Sequence, residues 1–509
     1  MNKKTADFSQ PPQSYWIAST PQPQHSVLNE DIETDIAIIG GGIVGLTTAY
    51  LLKQEGFTVS VVEADCILQG TTGNTTAKVT SQHTLVYNRI FQKFGKDKAQ
   101  HYADANQTAI KTVSDLVNSL KIDCDFSWQS AYCFTHRDDY VPEIMNEVNT
   151  ASLLGIQAYF VPEIPLPLGI KGAVRFDGQA QIHPRKYLLA LAEKIPGNGS
   201  YIFEQTRVTR VDEGKPHRVI TKNGKTITAK IVIIATHYPC YEAHGMYFSR
   251  LYPERSYALG VRIKGKYPGG MYITAEDPAR SLRSHMTKDE QLVIVSGEHH
   301  KTGQGEDTSN HYRKLKDFAE QLFTVIDIPY RWSTQDYSTA DGVPYIGQLT
   351  SDTQEIYVAT GFGKWGMSTS TAAALIFRDM ILNGYSPWQD IYRPSRFTPI
   401  ASAKSFVKEN LNVAKHLISG KLSPVPDKNE IPCGEGKIIE YEGQRTGAYR
   451  EQNGKLHLID TTCTHMGCEL QWNSAEKSWD CPCHGSRFTY SGEIVDSPAL
   501  DNIEHKILE

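Results

Sequence analysis

Four cysteines and two histidines crowd into residues 463–484 as CTHMGC, twelve intervening residues, and CPCH. Six soft ligands are more than one tetrahedral metal can use. A structural zinc would take four of them and commonly draws on C-x-x-C pairs. Here each box instead offers cysteine and histidine in one tight loop. That suits a [2Fe–2S] cluster with two thiolates on one iron and two imidazoles on the other. The other five of the nine cysteines, Cys66, Cys124, Cys133, Cys240 and Cys433, are scattered singly and read as ordinary thiols. In a reducing compartment, clustered cysteine with histidine signals metal or redox chemistry more often than a disulfide frame.

A second chemical signature lies near the front, in DIAIIGGGIVGLTTAYLLKQEGFTVSVVEAD. Residues 35–39 are an apolar, β-branched run and predict a buried strand. Gly40, Gly42 and Gly45 follow as G-x-G-x-x-G, residues 43–54 carry helical spacing, and residues 58–62 predict a second strand closing on Glu63. The first glycine permits the turn, the second lets backbone approach a pyrophosphate, and the third lets the helix press on the sheet. The helix N-terminus offers N–H groups and a positive dipole end to phosphate. Glu63 is placed to accept hydrogen bonds from an adenosine ribose.

This unit alone leaves FAD and NAD open, and later segments favour FAD. GTTGNTTAKVTSQH (70–83) supplies small polar residues, and KIVIIATHYP (230–239) is a buried strand ending at Ala235 and Thr236. DGVPYIG (341–347) precedes a strand, the loop GFGKWGMSTS and a helix whose N-terminus points inward. Such a terminus stabilises negative charge on a reduced ring. No second strand–glycine–helix unit offers a pyridine-nucleotide site, so the hydride donor is expected to be a small substrate.

This order of segments, over about residues 33–390, resembles the D-amino-acid oxidase and glycine oxidase-like family of FAD-dependent amine oxidoreductases. The resemblance implies FAD binding by Gly40, Gly42, Gly45, Glu63, Gly361, Gly366, Met367 and Ser368, with Thr72, Gly73 and Asn74 added. The chain departs from the family after Glu63, where TTGNTTAKVT replaces the usual small-Gly-Arg/Asn run. In the family, an inserted sheet roofs the flavin.

CTHMGC and CPCHGS are similar, nearly letter for letter, to the two boxes of the Rieske family. That resemblance implies that Cys463 and Cys481 ligate one iron and His465 and His484 the other. Cys468 and Cys483 correspond to the disulfide of the bc-complex branch. Ser486 stands where the family's serine donates to a bridging sulfide. Two residues on, high-potential members carry tyrosine, and Phe488 cannot donate. A potential toward the middle or lower part of roughly −150 to +300 mV is therefore expected.

These sites need a scaffold, and 509 residues allow two to four domains. The expected fold class is α/β (α+β): an FAD-binding Rossmann-like domain with an inserted antiparallel-sheet substrate domain, plus a small all-β Rieske domain. The expected divisions are a loose N-terminal arm (1–30), packed by Tyr15 and Trp16, and an oxidoreductase domain (31–400) with substrate insertions within 85–330. A helical linker (401–428) and the Rieske domain (429–509) complete them. Charges nearly balance, 52 basic against 57 acidic, which argues against nucleic acid. Neither a secretory leader nor a membrane span is legible, so a cytoplasmic protein is expected.

Substrate residues are the weakest signal. Arg283 is a candidate carboxylate clamp, with Tyr257, His285, His299 and His300 on or beside roof strands. Lys364, in the late glycine loop, is a candidate activator of oxygen or of the ring. Cys66 and Cys240 are candidates by residue type for covalent FAD attachment. FAD takes electron pairs and a Rieske cluster single electrons. The expected function is thus a dehydrogenase of an amine, amino acid or similar metabolite, passing electrons singly to an unidentified acceptor. The alternatives are a reductase or electron-transfer protein fed by a partner, and a redox sensor. An oxygenase is disfavoured, because no 2-His-1-carboxylate iron domain follows the boxes.

Overall fold

The computed structural model describes residues 11–287, 290–305, 307–396, 399–419 and 431–508. Apolar β-branched runs build the central sheet. Its path runs Tyr345–Gln348, Ile356–Thr360, Thr226–Ile234, Ile32–Ile39, Val59–Val62, Tyr201–Phe203, all parallel neighbours except the first pair. Strands buried on both faces read as continuous hydrophobic stretches, and VSVV and IYVAT are buried at every position. The helices Ile43–Gln54 and Gly366–Asn383 pack against each other beside this sheet. A Cβ on Gly45 would stand 1.9 Å from the Gly40 carbonyl oxygen, so this glycine sets the approach of helix to strand.

A nine-stranded sheet forms the roof, on the path Val325–Thr339, Leu251–Ile263, Gln291–Lys301, Arg280–Met286, Met271–Thr274, Ser127–Thr135, Gly172–Gln181, Lys78–Val79. It is antiparallel except where Met271–Thr274 runs parallel to Ser127–Thr135. Its strands begin at Lys78 and end at Thr339, beyond both ends of the expected insertion. The described part of the N-terminal arm is not loose. Trp16 is fully buried and donates from Nε1 to the Thr75 carbonyl at 2.6 Å, and the Ser14 hydroxyl donates to the Gly73 carbonyl at 2.6 Å.

The tail contains two four-stranded antiparallel sheets. Glu442 and Gly443, at φ 52° and 75°, turn the chain between Tyr441 and Gln444, as a two-residue hairpin loop requires. A helix, Pro399–Ser419, precedes this domain, and residues 420–428 of the expected linker lie outside the described residues. Among the described residues no helix is long and apolar enough to cross a membrane.

Candidate functional site

A cavity of about 1690 Å³ runs from the glycine turn, under the roof, to the edge of the tail domain. Gly40, Gly42, Glu63, Thr72 and Asn74 line one end, and Gly361, Lys364, Gly366 and Met367 another part. Gly40 has φ +111°, and a Cβ there would press on the Ala235 carbonyl at 2.5 Å. Glu63 accepts from the backbone N–H of Gly41 at 2.8 Å and of Asp65 at 3.0 Å. Burial pushes its carboxyl up, opposed by those N–H groups. The carboxylate has lone pairs left for a ribose. The Thr72 hydroxyl accepts from Ile43 N–H at 3.1 Å, tying the 71–74 turn to the helix start. Bare backbone, a helix N-terminus and a buried acid along a cavity this long fit an extended dinucleotide such as FAD.

Three expected binders do not line it. Gly45 lies behind the turn, Gly73 packs against Leu68 and Ile17, and the Ser368 hydroxyl donates to the Thr80 carbonyl at 2.7 Å. Both Cys66 and Cys240 line the cavity, and burial raises each thiol, Cys240 to about 11.

The two catalytic candidates fare differently. Arg283 is fully buried and donates to the carbonyls of Ala77 at 2.6 Å, Ile182 at 3.2 Å and Thr76 at 3.3 Å. It also stacks on Trp16, and it does not line the cavity. Its fork is spent on the fold, which removes it as a substrate clamp. Lys364 does line the cavity, 3.0 Å from Glu254. Desolvation raises the Glu254 carboxyl, but Lys364 and neighbouring cations outweigh it and hold the group low. His299 lines the same region, 2.9 Å from Asp277. Tyr257 lines the cavity too, and its hydroxyl meets His300 Nε2 at 2.9 Å, while His285 packs on Tyr15 and Trp16. Lys78, Glu254, Gln335 and Tyr337 were not singled out from sequence. In the sequence Lys78 stands as a lone cation between the apolar Ala77 and Val79, a pattern that could have drawn notice.

In the tail, Cys463, Cys481 and His484 are buried, and His465 is half-buried. The two imidazoles stand 5.0 Å apart, centroid to centroid, at 90°. Each has a buried Nδ1 without a hydrogen-bond partner. The Cys463 thiol is lowered to about 6 by the Cys481 thiol, backbone N–H groups and the Ser486 hydroxyl. Two convergent sulfurs and two orphaned ring nitrogens fit a cluster bound by two cysteines and two histidines. Cys468 and Cys483 are joined by a disulfide. Their sulfurs lie within 4.8 Å of the Cys481 sulfur but are spent in that bond. Phe488 is fully buried opposite Trp479, and the Ser486 hydroxyl also accepts from Ala499 N–H at 3.0 Å.

The tail is docked on the body by its cluster end. Gln335 Nε2 donates to the Gly485 carbonyl at 2.8 Å, and the Tyr337 hydroxyl donates to the Ser497 carbonyl at 2.8 Å, 3.3 Å from that of His484. Thr308 donates to Asn473 at 2.7 Å and Tyr312 to Glu476 at 2.9 Å. Tyr238 lies 6.4 Å from the His465 ring, and Phe248 6.0 Å from that of His484. Tyr238, Gln335 and Tyr337 line the large cavity, as do Arg487 and Asp496 of the tail.

A dinucleotide fold under a roof sheet, joined to a cysteine–histidine β-domain, defines a flavin-dependent oxidoreductase with an iron–sulfur tail. Residues 35–380 match the family described as FAD dependent oxidoreductase (DAO), and the chain belongs to that family. Residues 421–506 match the Rieske [2Fe-2S] domain. The chain is 44% identical over 490 residues, 96% of each chain, to a Rieske protein, YhfW, of Bacillus subtilis (strain 168). It is 24% identical over 400 residues to gamma-glutamylputrescine oxidoreductase of Escherichia coli (strain K12), covering 72% of this chain and 88% of the relative. Glycine oxidase from Geobacillus kaustophilus shares the fold, with a TM-score of 0.59 at 16% identity over 72% of this chain and 99% of that one. The protein is therefore an oxidoreductase that uses FAD and a Rieske [2Fe–2S] cluster.

Proposed function

We propose that this chain oxidises a small amine or amino acid beneath its roof sheet, in the cytoplasm, and delivers the electrons singly through its tail to an external acceptor. When bound, FAD supplies a two-electron acceptor and the [2Fe–2S] cluster a one-electron carrier. The observation that carries this reading is the shared cavity: residues of the glycine turn, the roof and the cluster domain line one continuous space. The relatedness to gamma-glutamylputrescine oxidoreductase supports an amine as substrate.

In this reading Gly40, Gly42 and Glu63 hold the adenosine half of FAD, with Thr72 and Asn74 beside them. Gly361, Gly366 and Met367 present backbone at the start of the helix Gly366–Asn383, whose N-terminus favours negative charge. Cys463, Cys481, His465 and His484 hold the cluster, and Ser486 donates toward the Cys463 sulfur. The disulfide holds the two ligand loops together. Lys364, paired with Glu254, sets the charge along the cavity wall. Tyr337 and Gln335 fix the His484–Gly485 segment against the body, so that electrons cross within one chain.

The test is anaerobic titration of the holoenzyme with glycine, N-methylglycine, L-proline, putrescine and γ-glutamylputrescine. An amine that bleaches the flavin, followed by the cluster's spectral change, supports the reading. Reduction of both only by a reduced partner protein would overturn it in favour of an electron-transfer protein.

A further inference from the structure

Lys78 opens the two-residue strand Lys78–Val79 at the roof's edge, in register with Gln181 and Ala180. Its side chain is half-buried and lines the large cavity. Nζ donates to the Ser281 hydroxyl at 2.6 Å, and that hydroxyl meets the Ser296 hydroxyl at 2.7 Å. Both serines line the cavity, with Thr76, Ile273 and Trp332. Among the described residues no carboxylate pairs with Nζ. Glu276 is bonded to Thr135 and to the His136 N–H, Asp277 faces His299, and Lys364 faces Glu254. The charged neighbour that acts on Lys78 is the Arg283 guanidinium, two residues along the strand from Ser281.

We propose that Lys78 is a catalytic residue: its amine takes the proton of the substrate's ammonium group, so that the substrate reacts as a free amine. This rests on the amine-oxidation reading above. A carbon–hydrogen bond beside nitrogen yields hydride only when the nitrogen lone pair is free to stabilise the developing cation. In the step, one N–H bond of the substrate ammonium breaks and one N–H bond forms on Nζ. No electrons change centre, and Lys78 returns the proton to water after product leaves. An ammonium at Nζ would have only a neutral hydroxyl for a partner and a guanidinium for a neighbour, which favours the neutral amine. Burial, with Arg283 adding to it, brings the group down to about 7. A base poised near the working pH is the one general-base catalysis favours.

Two measurements on the holoenzyme test this. Lysines labelled by reductive methylation with carbon-13 formaldehyde are titrated by NMR, with Lys78→Arg assigning the signal. A Lys78 signal that titrates near neutrality supports the proposal; one that titrates with the surface lysines overturns it. The rate of anaerobic flavin bleaching by the active amine of the panel is then followed against pH. Wild type should lose rate below about pH 7, whereas Lys78→Met, with its flavin content and melting temperature checked, should fall roughly 10²- to 10⁴-fold. That variant should also lose the inflection near 7 and recover only as free amine accumulates at high pH. Unchanged rate and profile in Lys78→Met would overturn the base role while leaving the amine reading intact. If no amine bleaches the flavin although Lys78 titrates near neutrality, the amine reading fails and the base role falls with it.

Discussion

Gly303 lies on the body, at φ +67°, and a Cβ there would stand 2.6 Å from Pro482 N and 2.8 Å from the Cys481 carbonyl carbon. Both contacts are with tail backbone, which cannot rotate aside. Ordinary contact begins near 3.4 Å, so Gly303→Ala must push the cluster domain back by about 0.8 Å. A side chain in the left-handed region costs about 1–2 kcal/mol, and overpacking adds about 1–3 kcal/mol. The backbone strain stays in the body whether the tail is seated or not, so docking weakens by the overpacking alone, about 1–3 kcal/mol or a roughly 5- to 150-fold shift toward the undocked tail. Gly305→Ala is the control, because Gly305 has φ +103° but nothing within 4 Å of its Cβ. Stopped-flow spectroscopy should show Gly303→Ala with full flavin and cluster content and normal flavin bleaching, but slowed cluster reduction. Hydrogen exchange should rise at the Ala475 amide, which donates to the Thr308 hydroxyl across the interface. Normal transfer and exchange in Gly303→Ala would refute the conclusion that the cluster works from this docked position.

Gly45→Ala should strip FAD from the purified protein by tenfold or more in visible absorbance, since its methyl would overlap the Gly40 carbonyl; full flavin content would refute this. Arg283→Met should lower the melting temperature and leave the amine KM unchanged, because each orphaned buried carbonyl costs about 1–3 kcal/mol. A tenfold rise in KM at unchanged melting temperature would restore the clamp role. Replacing both Cys468 and Cys483 with alanine opens a loop with a sequence separation of 15. That should cost the tail domain about 3 kcal/mol in denaturant titrations, and an unchanged midpoint would contradict it. His311 is stacked on His300 at 4.5 Å and lowered to about 4 by burial and by that neighbour. The unfolded chain takes up this proton near 6.5 and the fold only near 4, so stability falls as pH drops through that window. His311→Asn should flatten the loss by up to one proton, and an identical slope would count against it.

The parts of the site legible in the sequence are those whose chemistry is local. The glycine turn and the cysteine–histidine boxes bring their groups together over a few residues, so spacing alone reveals them. The Arg283 reading failed for a different reason. An arginine on a strand looks the same whether its fork meets a substrate or the carbonyls of Ala77 and Ile182, more than 100 residues away. For Lys78 the sequence shows a cation in an apolar setting, but its significance lies in what does not pair with it, which only the fold reveals. The contacts of Gln335 with Gly485 and Tyr337 with Ser497 join residues about 150 positions apart, and no local pattern encodes such a meeting.

Tail and body belong to one chain, and this changes what their interface must do. A tethered domain meets its partner at an effective concentration on the order of millimolar. Contacts that would hold two separate proteins at only ~100 µM, a binding free energy of about −5.5 kcal/mol, then keep the tail seated roughly nine-tenths of the time. The surface is accordingly free to include polar contacts, among them the donors Tyr337, Gln335 and Thr308 and the Arg255–Glu476 pair. Covalent continuity stands in for affinity. Cut loose and diluted to micromolar, such a tail would leave the body that now carries it.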